Sequence, residues 1–165
     1  MRCLRVLLLS FGMALVACGD VDLNAVPSAK ALCESSTEDL RQPSARMLPG
    51  RRCLLCHAPG GQASRLLWTA GGTVYASPGS DCNSNGVDGA QAELFDANGV
   101  VVTSLRTNRS GNFVTADSIG SQPLRARVRV PGKPPREMQQ PQLPPIDSAA
   151  CHDPGGPAGG RIYLE

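Results

Sequence analysis

Cys53-Leu54-Leu55-Cys56-His57 is the stretch of this chain whose residue types and spacing suit chemistry. Two thiols three positions apart, followed by an imidazole, suit covalent attachment of a haem. The sulfurs add across the two vinyl groups and the histidine coordinates the iron from the same side. The same residues have two other uses. A Cys-x-x-Cys pair can cycle between dithiol and disulfide when it opens a helix in a βαβ fold. Cys53, Cys56 and His57, with Cys151 or His152, also supply enough donors for a tetrahedral zinc site. No βαβ pattern surrounds Cys53, and zinc gives no reason for the duplication described next. Covalent haem is therefore the expected chemistry.

The chain has two histidines, His57 and His152, and each directly follows a cysteine. Cys56-His57-Ala58-Pro59-Gly60-Gly61-Gln62-Ala63 has a near copy in Cys151-His152-Asp153-Pro154-Gly155-Gly156-Pro157-Ala158. The match extends outwards without gaps: Leu48-Pro49 corresponds to Leu143-Pro144, and Trp68 to Tyr163. The copies differ at one telling position, where Ser148 replaces Cys53. Three readings of the second copy stay open. It holds a haem by one thioether through Cys151, or it is degenerate, or His152 supplies the second axial ligand of the first haem. Neither copy is long enough to bury a haem alone, so the two are expected to meet in space. The sixth iron ligand is then a choice among His152, Met47 and Met138; a methionine raises the potential and a histidine lowers it.

The N-terminus directs the chain out of the cytoplasm. Arg2 and Arg5 precede an apolar stretch from Val6 to Val16, too short for a good membrane span. Leu15-Val16-Ala17-Cys18 resembles the lipobox of bacterial lipoproteins, in which the cysteine is lipidated and becomes the first mature residue. This resemblance implies a membrane anchor on Cys18, and Gly19 after it implies outer-membrane sorting. Haem attachment of this kind also takes place outside the cytoplasm. Export bears on the remaining cysteines, because exported proteins rarely keep free thiols. Cys33 pairs with Cys82 if Cys151 holds haem; Cys82 pairs with Cys151 if it does not.

Positioning falls to short strands. Aromatics make up 4% of the chain, while Gly and Pro together number 32, which disfavours a long-helix cytochrome. Gly72 to Ala76 is rich in β-formers, and Ala90 to Phe95 alternates small or apolar with polar residues. Asp96-Ala97-Asn98-Gly99 marks a hairpin turn, with Val100 to Leu105 returning. Asn108 to Asn112 turns again before Phe113-Val114-Thr115. Leu124, Ala126, Val128 and Val130 alternate with Arg125, Arg127 and Arg129, a strand with a buried face and a solvated arginine face. The expected fold is mainly β, a small antiparallel sandwich flanked by irregular or short-helical attachment segments.

Gly72-Thr73-Val74-Tyr75, Val87-Asp88-Gly89-Ala90, Leu94 to Gly99, and Thr107-Asn108 with Gly111-Asn112-Phe113 resemble the carboxypeptidase regulatory-like domain. The resemblance covers about 70 residues. It implies a prealbumin-like sandwich with a structural or interactive role and no active site of its own. With its flanking Cys-His motifs, the whole chain resembles bacterial lipoproteins in which paired haem motifs bracket such a sandwich; Ser148 departs from that pattern. The corresponding divisions are a signal over 1–17, a tether over 18–46, the first attachment segment over 47–67, the sandwich over 68–138, and the second, degenerate segment over 139–165.

Other functions find less footing. Asp81-Cys82-Asn83-Ser84-Asn85-Gly86 resembles the start of a calcium loop, but its twelfth position is Ala92 in place of the bidentate glutamate, so calcium is not expected. Without Arg2 and Arg5 the chain carries 14 basic and 14 acidic residues, which offers nucleic acid no basic face. No Ser-His-Asp or paired-carboxylate motif stands out, so the expectation is an electron carrier, not an enzyme, working with an unidentified redox partner. The competing reading is a non-redox surface lipoprotein that uses the sandwich for structure or interaction and the Cys/His motifs as disulfide or zinc staples.

Overall fold

A computed structural model describes residues 48–78, 85–152, 157–158 and 160–164. Cys18, Cys33, Cys82, Met47, the tether and the start of the calcium-like loop, Asp81 to Ser84, lie outside the described residues.

The order along the chain is a one-turn helix α1 (Cys53–Cys56), then strands β1 (Ala70–Tyr75), β2 (Gln91–Phe95), β3 (Val101–Arg106), β4 (Asn112–Thr115) and β5 (Arg125–Arg129). Short strands β6 (Arg136–Glu137) and β7 (Ile146–Asp147), a second one-turn helix α2 (Ser148–Cys151) and β8 (Ile162–Tyr163) complete it. Among the described residues the fold is mainly β, in two four-stranded sheets. One runs β3-β2-β5-β6 and is antiparallel throughout. The other is built on β1, with β4 antiparallel on one side and β7 and β8 on the other. The expectation of a wholly antiparallel arrangement is corrected here, because β7 and β8 both run parallel to β1. The second Cys-His copy lies along the free edge of β1 in the same direction. It pairs with Ala70 and Gly71, leaves the sheet for α2, and returns to pair with Val74 and Tyr75. Ladder groups that would otherwise be open to solvent are covered in this way.

Alternation decides which side chains fill the space between the sheets. Val74 and Phe113 of the first sheet meet Ala92 and Val128 of the second, with Ala90 and Leu164. Ala70 and Ile146 meet Leu94 and Leu124, with Ile119. Ile146 and Leu164 belong to the second Cys-His segment, so that segment does not merely flank the sandwich as expected but supplies part of its core. The first copy lies on the other face of β1. Gly50 donates its N–H to Thr73 Oγ1 at 2.8 Å, and Cys53 stands beside Gly71.

The turns follow from their polar residues. Asp96 Oδ1 accepts the N–H groups of Asn98 and Val100, and Gly99 takes φ +79°. The expected reversal is present, but Gly99 alone of the Asn-Gly pair adopts positive φ, and the β2–β3 register shifts at Leu94/Phe95. Asn108 Oδ1 likewise accepts from Ser110 and Asn112, with Gly111 at φ +78°.

The arginine face of β5 is more than a solvated surface. Arg127 and Arg129 both donate to Glu93 Oε2, at 2.8 and 3.1 Å. The Arg125 and Arg127 guanidinium groups lie 4.9 and 5.1 Å from the centroid of the Phe95 ring. Glu93 and Phe95 point away from the inter-sheet core and are nevertheless 9% and 2% exposed. Long arginine stems can cover apolar surface while their heads stay in water.

Candidate functional site

α1 is a single turn, closed by the His57 N–H donating to Cys53 O at 3.1 Å. Leu54, 1% exposed, anchors it to the body of the protein. The helix cannot continue. Pro59 follows, and Gly61 lies so close to the preceding turn that a Cβ there would stand 2.7 Å from Leu55 O. The chain then doubles back: Ala63 N–H reaches Cys56 O at 2.8 Å, and Trp68 N–H reaches His57 O at 3.0 Å.

This return path fixes the imidazole. The Trp68 ring stacks on that of His57, with centroids 3.5 Å apart and an interplanar angle of 11°. His57 Nδ1 lies 2.8 Å from Leu66 O. A carbonyl only accepts, so Nδ1 carries a proton, and in the neutral ring Nε2 presents its lone pair. His57 is 3% exposed, and its Nε2 is buried with no hydrogen-bond partner among the described residues. A buried acceptor without a donor is costly and calls for a partner. This tautomer, with Nδ1–H on a backbone carbonyl, is the one that commits Nε2 to a metal.

Cys53 and Cys56 are free thiols. Cys53 Sγ–H points to Arg51 O at 3.6 Å. A Cβ on Gly71 would stand 3.2 Å from this sulfur, so the glycine leaves room for it. Burial, with the Asp147 carboxylate adding to it, pushes the Cys53 thiol far above its ordinary range. Burial also raises Cys56, with Arg51 opposing and Asp147 reinforcing. Thiol–disulfide catalysts need the opposite, a stabilised thiolate. Among the described residues no three His, Cys, Asp or Glu side chains are grouped to hold a metal ion.

The duplication seen in the sequence is also a duplication of structure. In α2 the His152 N–H donates to Ser148 O at 2.9 Å, and Ala158 N–H reaches Cys151 O at 3.0 Å, the counterparts of the bonds in the first copy. His57 and His152 end their helices with nearly the same backbone angles, φ −99° and ψ 26° against φ −100° and ψ 23°. His152 Nδ1 also meets a carbonyl, Gly160 O, at 2.9 Å, and burial lowers its pKa. The two copies meet, as expected: both helices pack on β1, and Leu54 N–H of the first bonds Asp147 Oδ2 beside the second.

The second copy departs from the first where the chemistry would be. Cys151 is disulfide-bonded, so its sulfur is not available for a thioether, and the reading of Cys151 as a haem-attachment residue is corrected. Cys53 and Cys56, the other described cysteines, are free, so its partner lies outside the described residues. Met138 follows β6 at the border of the second sheet, its N–H bonded to Ala126 O at 2.8 Å. It therefore stands on a different sheet from the strand that carries α1. Asp147 escaped the sequence reading altogether. It is a single acidic residue in no motif, and only the meeting of the two copies shows what it touches.

Comparison with family models, with curated proteins and with solved structures finds no match.

Proposed function

We propose that this chain is an exported, lipid-anchored c-type cytochrome, in which a prealbumin-like sandwich carries one covalently attached haem. The observation that carries the reading is the buried His57 Nε2, without a partner among the described residues, on the residue that directly follows the helical turn bearing the free thiols of Cys53 and Cys56. Cys53 and Cys56 would hold the group by thioethers, and His57 would be its axial ligand. A bound haem supplies a one-electron iron couple for electron transfer. Leu66 O keeps the proton on Nδ1, Trp68 fixes the plane of the ring, and Gly71 leaves space for the Cys53 sulfur. The Cys151 disulfide favours one haem over two, with the second copy serving the structure. That same disulfide is what supports the alternative reading, a non-redox surface lipoprotein stapled at its cysteines.

The test is the intact mass of the mature protein co-expressed with a haem-attachment system. One haem adds about 0.6 kDa, and the Cys53→Ala/Cys56→Ala variant should lose that increment. An unmodified mass in the parent protein, or a double variant that keeps its haem, would refute the assignment.

A further inference from the structure

A helix of four residues is far too short to hold itself, and its first N–H groups have no partners within it. α1 receives no help from its own N-cap, because the Arg52 side chain makes no capping bond. The acceptor comes from the other copy: Asp147 Oδ2 takes the Leu54 N–H at 3.2 Å. The Asp147 side chain is 3% exposed, and the Arg52 guanidinium stands 3.9 Å away. Asp147 is also the β7 partner of Gly71, whose missing side chain makes room for the Cys53 sulfur. One residue thus joins three elements: its carboxylate reaches the start of α1, its backbone pairs with β1 beneath, and it leads into α2.

We propose that Asp147 is a positioning residue, a cap contributed by the second copy that holds the Cys53–His57 turn in the geometry that presents its thiols and imidazole. This rests on the cytochrome reading and assigns the second copy a task within it. Ser148 and the Cys151 disulfide leave that copy no attachment pair of its own, yet its strand and carboxylate brace the copy that has one. The acceptor oxygen matters more here than the charge, since an asparagine at the same position offers an oxygen of the same reach.

The experiment compares the full chain with its Asp147→Ala and Asp147→Asn variants. Alkylation of Cys53 by iodoacetamide at neutral pH, read by peptide mass spectrometry, should be about tenfold faster in the alanine variant, the effect of losing a helix cap. The asparagine variant should stay within about threefold of the parent, because its Oδ1 still accepts from Leu54. Equal rates in parent and alanine variant overturn the proposal, as does an asparagine variant as reactive as alanine. Should the alanine variant fail to fold, hydrogen exchange in the other two decides. Leu54 N–H must be protected in both, and free exchange in the folded parent overturns the proposal. With a haem-attachment system present, haem occupancy and the visible spectrum should degrade in the alanine variant and recover in the asparagine variant. A parent that takes up no haem defeats the cytochrome reading, while the thiol and amide measurements still decide the role of Asp147.

Discussion

Replacing Asp147 by asparagine should change how stability depends on pH. Two influences compete at this carboxylate. Burial disfavours its charge, while Arg52 and the backbone N–H of Leu54 favour it. Burial prevails, and its pKa rises from an ordinary 3.8 to about 6. The folded state therefore holds a proton on Asp147 more tightly than the unfolded chain does. Well below the ordinary value of 3.8 both states are protonated and Asp147 adds no penalty. As pH rises towards 6 the unfolded chain ionises first, and the folded state becomes progressively less favourable; above about 6 the penalty is complete. A tenfold difference in proton affinity is about 1.4 kcal/mol, so the rise amounts to about 3 kcal/mol as an upper bound. Asparagine keeps the acceptor and cannot ionise. Denaturant unfolding of parent and Asp147→Asn at several values between pH 4 and 7.5 reads the difference directly. The variant's advantage should grow across pH 4 to 6 and then level off. A difference that stays flat, or a parent that gains on the variant as pH rises, would show that Arg52 outweighs burial and would refute the reasoning.

Two further substitutions test the packing. At Gly72 an added Cβ would stand 2.6 Å from Ser148 Cβ and 2.7 Å from Phe113 Cζ. Gly72→Ala should therefore destabilise by about 1–3 kcal/mol in denaturant unfolding despite the lower flexibility of alanine in the unfolded chain, and a neutral result would mean that α2 is looser on β1 than its contacts suggest. At Glu93, the bonds from Arg127 and Arg129 hold the pKa below the ordinary carboxylate range against an opposing burial effect. That stabilisation is present above the ordinary pKa and is lost as pH falls through the depressed one. Glu93→Gln should thus be less stable than the parent at neutral pH and converge with it in acid; thermal unfolding that shows a constant gap down to pH 2 would rule this out.

Local signals in the chain determined a good deal. The alternation of Ala90 to Phe95 and of Leu124 to Val130 located β2 and β5, because a half-buried strand must alternate. The polar-Gly turns located the reversals, since Asp96 and Asn108 bond their own following backbone whatever the fold around them. The duplication of the Cys-His segments was legible as a matching run of residues, and the one-turn helices follow from the Pro-Gly-Gly that ends the first. Tertiary structure decided what depends on residues far apart. The parallel pairing of β7 and β8 arises because the C-terminal segment lies along an edge of β1 in the same direction. Phe95 and Glu93 are buried on the face that alternation assigns to solvent, because arginines of a neighbouring strand fold over them. Cys151 follows the attachment pattern in its neighbours but lies in a disulfide, which the local sequence around it does not encode. Asp147 carries no motif, and its importance begins only when a carboxylate on one copy meets an unpaired N–H on the other. A hydrogen bond between residues 54 and 147 leaves no periodic trace in either segment, and that is why it had to be seen in space.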